Sequence, residues 1–342
     1  MTASIRLLYD APPPHGTRLQ VAPGVYWLRM PLPVALDHIN LWLLEDEGGW
    51  TVVDTGVAND ATRAAWERVI DTALDGKPIV RVLCTHMHPD HIGLADWLCR
   101  RFDAPLWITT GEYLSGRAIA AGLPGTDTAA QIAHYVRHGV DAEQLAAITE
   151  RGSFYQRMVP AMPHAYRRIS DGERVRIGAH DWRVLVGTGH SPEHASLACE
   201  ALNLVISGDM LLPTISTNVS VWAIEPEANP LAWFLESITH YRHLHASVRV
   251  LPSHGLPFEG AHARVDALEA HHAARLAEVR AACADQAQTA AGIVPLLFRR
   301  KLDIHQTTFA LGEALAHLHA LWFAGELVRE TDAHGTVRFR GV

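Results

Sequence analysis

At 342 residues, with 48% hydrophobic side chains, the chain can bury a large core, is not disordered, and has length for one large domain plus a small one. A formal charge of -8 argues against a protein whose main task is gripping nucleic acid or an anionic membrane surface. No apolar run approaches the roughly 20 residues of a membrane span, and the proline-rich start, Met1 to Gly16, lacks a charged-then-apolar signal pattern, so a cytoplasmic protein is expected.

Residues 1 to 20 read as a loose lead-in around Pro12, Pro13 and Pro14. Strands follow at about Gly24 to Met30, Ile39 to Glu45 and Trp50 to Asp54, the last two joined by a hairpin turn at Asp46 to Gly49. Asn59 or Asp60 can cap a helix whose Trp66, Val69, Ile70, Ala73 and Leu74 recur at helical spacing until Gly76 stops it. The apolar run Ile79 to Leu83 then reads as a buried strand, Ile92 to Phe102 as a helix and Leu106 to Thr109 as another strand.

Residues 111 to 168 break this alternation and read as an inserted helical cap, with helices at about Thr128 to His138, Asp141 to Glu150 and Ser153 to Met158. Tyr113, His134, Tyr135, His138, Tyr155, Arg157, His164 and Tyr166 are its candidate substrate contacts, with packing the expectation for any one of them. Strands resume at Arg174 to Ile177, Asp181 to Val186, Ser196 to Glu200 and Leu204 to Ser207. An irregular stretch, Met210 to Trp222, leads to a helix at about Asn229 to His245 and a strand at Val248 to Leu251. Past a boundary near Gly260 come helices at about Ala261 to Ala287, Ala290 to Arg299 and Gln306 to Phe323, then a hairpin, Leu327 to Glu330 and Thr336 to Arg340. Cys84, Cys99, Cys199 and Cys283 form no CxxC pair, so buried free thiols are expected.

The chemistry concentrates in Cys84-Thr85-His86-Met87-His88-Pro89-Asp90-His91-Ile92-Gly93-Leu94, where three imidazoles and a carboxylate fall within six residues after a strand. On a loop leaving that strand, His86 and His88 can converge on one ion while Asp90 and His91 face a second. Chance clustering among 22 histidines does not explain why further ligand types stand at later strand ends: His190 in Gly187-Thr188-Gly189-His190, Asp209 in Ser207-Gly208-Asp209, and His254 in Pro252-Ser253-His254.

With these residues the sequence resembles the metallo-β-lactamase-fold hydrolase superfamily, whose pattern is HxHxDH, then a single His, an Asp and a last His; all seven positions are filled. The resemblance covers about residues 20 to 260 and implies an α/β fold, an αββα four-layer sandwich, as a catalytic domain over 1–260 with the 111–168 cap inserted. It implies that His86, His88 and His190 bind one metal, that Asp90, His91 and His254 bind the other, and that Asp209 bridges them. Asp54 matches a family carboxylate that holds metal-site backbone or ligands in place, and His38 ends a loop, Pro31 to His38, that hangs over the site in that fold. His194 has no ligand position in the pattern and is expected to pack or hydrogen-bond nearby.

The donor set suits two zinc ions, although iron or manganese would accept it. Such a pair lowers the pKa of a bridging water from about 16 toward about 7, giving hydroxide to attack an electrophilic carbon or phosphorus, with Asp90 as the catalytic residue that orients it or passes its proton on. His91 and Asp209 together favour the dinuclear glyoxalase-II-like and lactonase-like branch, hence a small ester, lactone or thioester substrate. Residues 261–342 resemble the small winged-helix domain appended to some members and to the lactamase-like endoribonucleases, so single-stranded RNA cleavage is the rival reading, and a metal-bound sensor or DNA-binding regulator a third. The last helix, Thr307 to Trp322, carries no Lys or Arg, which counts against nucleic acid and for a packing, lid or homodimer-contact role.

Overall fold

Continuous apolar runs need cover on both faces, and two sheets packed face to face supply it. The computed structural model describes residues 4–34 and 36–342; Met1, Thr2 and Ala3 of the expected lead-in and Ala35 of the expected 31–38 loop lie outside the described residues. Two compact units divide the chain. The first comprises the chain up to Ala121, Tyr155–Thr217 and Ile238–Val265; the second comprises Gly122–Phe154, Asn218–Ser237 and Asp266–Val342.

In the first unit one seven-stranded sheet runs in the order Arg18–Ala22, Val25–Pro31, His38–Asp46, Gly49–Val53, Ile79–Leu83, Leu106–Ile108 and Arg167–Arg168. Its first four strands form an antiparallel meander and the rest add in parallel, the crossover from Gly49–Val53 to Ile79–Leu83 being the helix Asp60–Ala73. The second sheet runs Arg6–Leu7, Phe258–Glu259, Arg249–Pro252, Leu204–Gly208, His194–Cys199, His180–Gly187 and Arg174–Ile177. Inner faces meet in one core, where Trp27, Trp42, Val53 and Leu83 join Trp182, Val184, Leu197, Ile206 and Leu251. The outer face of the first sheet, Leu41, Leu43, Trp50 and Val82, is covered by Trp66, Val69, Ile92 and Leu98 of the helices. This is the α/β sandwich of two sheets flanked by helices that the sequence implies.

Local chemistry explains the elements. Asn59 caps Asp60–Ala73 by accepting from the Thr62 N–H at 2.8 Å, and the buried face carries Ala65, Trp66, Val69 and Ala73. The expected helix Ile92 to Phe102 divides into a turn, Pro89–Ile92, and a helix, Ala95–Phe102. Gly93 lies between them with three backbone oxygens so close that an added Cβ would stand 2.5 Å from that of Pro89 and 2.7 Å from those of Gly56 and Met158. The expected helix Asn229 to His245 likewise ends at Thr239 and continues as a 3-10 turn, His240–His243.

The lead-in contains two strands, Arg6–Leu7 and Arg18–Ala22, and the segment read as cap begins with an unanticipated helix, Thr110–Ala120, in the first unit. Gly111 and Gly116 lower its sequence propensity; Gly116 is there because an added Cβ would meet the Tyr155 hydroxyl at 3.1 Å.

The second unit gathers the helices Thr128–Arg137, Ala142–Arg151, Ala290–Leu297 and Ile304–Phe323 with the hairpin Leu327–Thr331 and Val337–Gly341. Asp127 and Asp141 cap the first two helices, and Asp303 with Gln306 forms a capping box on the last. Gln288 and Phe339 exchange backbone hydrogen bonds of 2.8 Å, adding a third chain to the hairpin. Cys84, Cys99, Cys199 and Cys283 are buried free thiols, and no helix among the described residues is long and apolar enough to cross a membrane.

Candidate metal centre

Strand C-termini deliver the polar residues to one edge of the sandwich. Ile79–Leu83 runs into His86, His88, Asp90 and His91; His180–Gly187 into His190; Leu204–Gly208 into Asp209; and Arg249–Pro252 into His254. Parallel pairing of Gly49–Val53 with Ile79–Leu83, and of Leu204–Gly208 with Arg249–Pro252, keeps successive loops on the same side. Gly208, at φ +53, makes the turn into Asp209; an added Cβ would lie 2.3 Å from the His194 Nε2.

All seven residues singled out in the sequence come together, in two groups whose donor atoms lie within 4.8 Å of one another: His86, His88, His190 and Asp209 in one, Asp90, His91 and His254 in the other. In the first, the His86 Nε2 stands 2.9 Å from the His88 Nδ1 and 3.1 Å from the His190 Nε2. Burial first, then the neighbouring imidazoles, hold His86 well below the ordinary range and His88 down at about 3, so both rings are neutral with lone pairs to share. Three ring nitrogens facing one another, those of His86, His88 and His190, suit a common cation.

In the second group, the His91 Nε2 is buried with no hydrogen-bond partner, 3.6 Å from the Asp90 Oδ2 and 3.6 Å from the Asp209 Oδ1. The His254 Nε2 lies 3.3 Å from the Asp90 Oδ2 and 3.6 Å from the Asp209 Oδ1. Burial disfavours charge on both rings, but the carboxylates around them outweigh it and raise His91 and His254. Burial likewise raises the two carboxyls, yet the facing imidazoles hold Asp90 at about 2 and Asp209 well below the usual range. An orphaned buried nitrogen between two ionised carboxylates fits a cation.

Surrounding groups fix the rings. The His91 Nδ1 bonds the Asp54 Oδ2 at 2.8 Å, and Asp54, held at φ +65, also accepts from the Thr85 N–H at 2.7 Å and the Thr85 hydroxyl at 2.9 Å. The His254 Nδ1 donates to the His38 carbonyl at 3.0 Å, which turns its Nε2 toward the carboxylates. His38 begins a strand; its ring is occupied by Asp37 at 2.5 Å on Nδ1 and by the Gly255 N–H at 3.2 Å on Nε2. The His194 Nε2 accepts from the Asp209 N–H at 3.1 Å.

Three expected cap residues are tied into this scaffold: Tyr155 donates its hydroxyl to the Met87 carbonyl at 2.7 Å, and Tyr113 stacks on Tyr166 at 3.9 Å while donating to the Pro163 carbonyl. His134, Tyr135 and His138 belong to the second unit. Sequence reasoning missed Glu112, fully buried, whose carboxylate accepts from the Met87 N–H at 2.8 Å, the Ser191 hydroxyl at 2.6 Å and the Glu193 N–H at 2.7 Å. Burial raises its carboxyl above the ordinary value against the pull of these donors. A lone glutamate has no motif; only its closeness to the motif-bearing loops reveals it.

Comparison with known proteins places this architecture. Residues 34–254 match the Metallo-beta-lactamase superfamily, and residues 276–342 match the family described as Metallo-beta-lactamase-like, C-terminal domain. The crystal structure of a beta-lactamase domain protein from Burkholderia ambifaria is 52% identical, with 99% of this chain and 98% of that one covered at a TM-score of 0.93. That of a metallo-beta-lactamase family protein from Thermus thermophilus is 30% identical, with 94% and 100% covered at a TM-score of 0.80. Probable metallo-hydrolase YqjP of Bacillus subtilis (strain 168) is 22% identical over 320 residues, 86% of this chain and 91% of that protein. Matched over more than half its length, motif and sandwich together, the chain belongs to the metallo-beta-lactamase superfamily.

Proposed function

We propose that the chain hydrolyses a small ester, lactone or thioester at a dinuclear centre, as a member of the glyoxalase-II-like and lactonase-like branch. That it is a metal-dependent hydrolase follows from its family, and relatives in Bacillus subtilis carry the description probable metallo-hydrolase. In this reading His86, His88 and His190 hold one ion and Asp90, His91 and His254 hold the other. The observation that carries it is the division of the Asp209 carboxylate: Oδ2 lies 3.3 Å from the His190 Nε2, whereas Oδ1 lies 3.6 Å from both the His91 Nε2 and the His254 Nε2. One side chain thus reaches both groups. Imidazole and carboxylate donors suit zinc, and iron or manganese would accept them.

When bound, the ions would supply Lewis acidity for the substrate oxygen and bring the pKa of water toward about 7. The chain's own residues do the rest. Asp54 and the His38 carbonyl hold His91 and His254 in the tautomer that presents Nε2. Asp90 has the more open carboxylate, 22% exposed against 11% for Asp209, which suits it to orient an attacking water or carry a proton to the leaving group. Of the serines beside Asp209 and His254 in sequence, neither Ser207 nor Ser253 is poised as a nucleophile: Ser253 donates to the Asp209 Oδ1 at 2.6 Å and Ser207 to the Leu211 carbonyl at 2.9 Å.

The test is a hydrolysis panel of p-nitrophenyl esters, lactones, acyl thioesters, phosphodiesters and single-stranded RNA, run with purified and chelator-stripped protein. Turnover of an ester, lactone or thioester that disappears on stripping and returns with added zinc, manganese or iron is the expected result. Cleavage of RNA alone would move the chain to the nuclease branch, and undiminished hydrolysis by stripped protein would refute the reading.

A further inference from the structure

Glu112 stands outside both groups that could hold an ion, yet its hydrogen bonds select one of them. Met87, whose N–H it accepts at 2.8 Å, lies between His86 and His88; Ser191, whose hydroxyl it accepts at 2.6 Å, follows His190. One carboxylate therefore ties together the two loops that carry all three histidines of the first group. The clamp is itself fixed. Tyr155 holds the Met87 peptide from the carbonyl side at 2.7 Å. On the other loop, Glu193 accepts the Gly111 N–H at 2.7 Å through its Oε2, and its carbonyl accepts the Thr109 hydroxyl at 2.8 Å.

We propose that Glu112 is a positioning residue for the three-histidine ion alone: it sets the spacing of His86, His88 and His190 by holding Met87, Ser191 and Glu193 on one carboxylate, and leaves the Asp90, His91 and His254 group to Asp54 and His38. This rests on the metal-centre reading above. Two of its three partners are backbone N–H groups, one on each oxygen, so a carboxamide at this position would turn its NH2 against one of them whichever way it lay. Glu112→Gln is thus isosteric and still wrong.

The experiment titrates metal-free wild-type, Glu112→Gln and Ser191→Ala proteins with cobalt(II), followed by visible absorption, with folding checked by circular dichroism. His190→Ala and His254→Ala, titrated in parallel, mark which binding step belongs to which group. Glu112→Gln should weaken the step missing from His190→Ala by about 10- to 100-fold, the scale for groups that orient ligands, and keep the step missing from His254→Ala. Ser191→Ala should shift the same step by a smaller factor, and decides alone if Glu112→Gln does not fold. Equal weakening of both steps, or of neither, overturns the proposal. Wild-type protein that takes up no cobalt overturns the metal-centre reading itself.

Discussion

Asp54 shows what one buried carboxylate contributes at this site. A non-glycine residue at φ +65 is disfavoured by about 1–2 kcal/mol, and it is retained where Asp54 serves the Thr85 N–H, the Thr85 hydroxyl and the His91 Nδ1 together. Asp54→Ala leaves the buried Thr85 N–H without its acceptor and takes the carboxylate from the Thr85 hydroxyl and the His91 Nδ1, so stability should fall by about 1–3 kcal/mol and metal affinity by about 10- to 100-fold. Urea unfolding and metal titration of the variant check both. Unchanged metal binding would show that the tautomer of His91 is held by something else.

Elements are set by where backbone crowds backbone or side chain. Gly208→Ala forces a Cβ to within 2.3 Å of the His194 Nε2 at φ +53, and should cost about 1–3 kcal/mol. It should also displace the Asp209 N–H that His194 holds, read as lower metal retention in the folded variant. A stable, metal-retaining Gly208→Ala would mean that this turn relaxes freely. His86, His88, Asp90, His91, His190, Asp209 and His254 stood out in the sequence because each follows a strand long enough to show an apolar run. Two-residue strands such as Arg6–Leu7 and Phe258–Glu259 have no period to read. Glu112 was hidden for a different reason: its meaning lies in contacts to Met87, Ser191 and Glu193, distant in sequence and unremarkable in type. Packing of Gly122–Phe154 with the C-terminal helices was equally illegible, since nothing in the local pattern says which unit a helix joins.

At the scale of the whole molecule, histidines outside the metal centre add to the response to acid. In the second unit burial lowers His134 to about 4, His138 to about 3, His272 to about 3 and His317 to about 4, and lowers His319 as well. Their unfolded value is about 6.5, so the unfolded chain binds more protons between the two, and stability falls as pH drops from about 6.5 toward the folded values. Melting temperatures of metal-free protein across that range should decline, and His272→Leu, which removes one titrating ring, should make the decline shallower; a flat profile would contradict this. The central claim, that seven side chains at one sandwich edge form a dinuclear centre, is tested most directly by metal content per chain from elemental analysis. About two ions in the wild-type protein, with a loss in Asp209→Ala that folds normally, is the expected result. No bound metal in wild-type protein, or full content in Asp209→Ala, would contradict it.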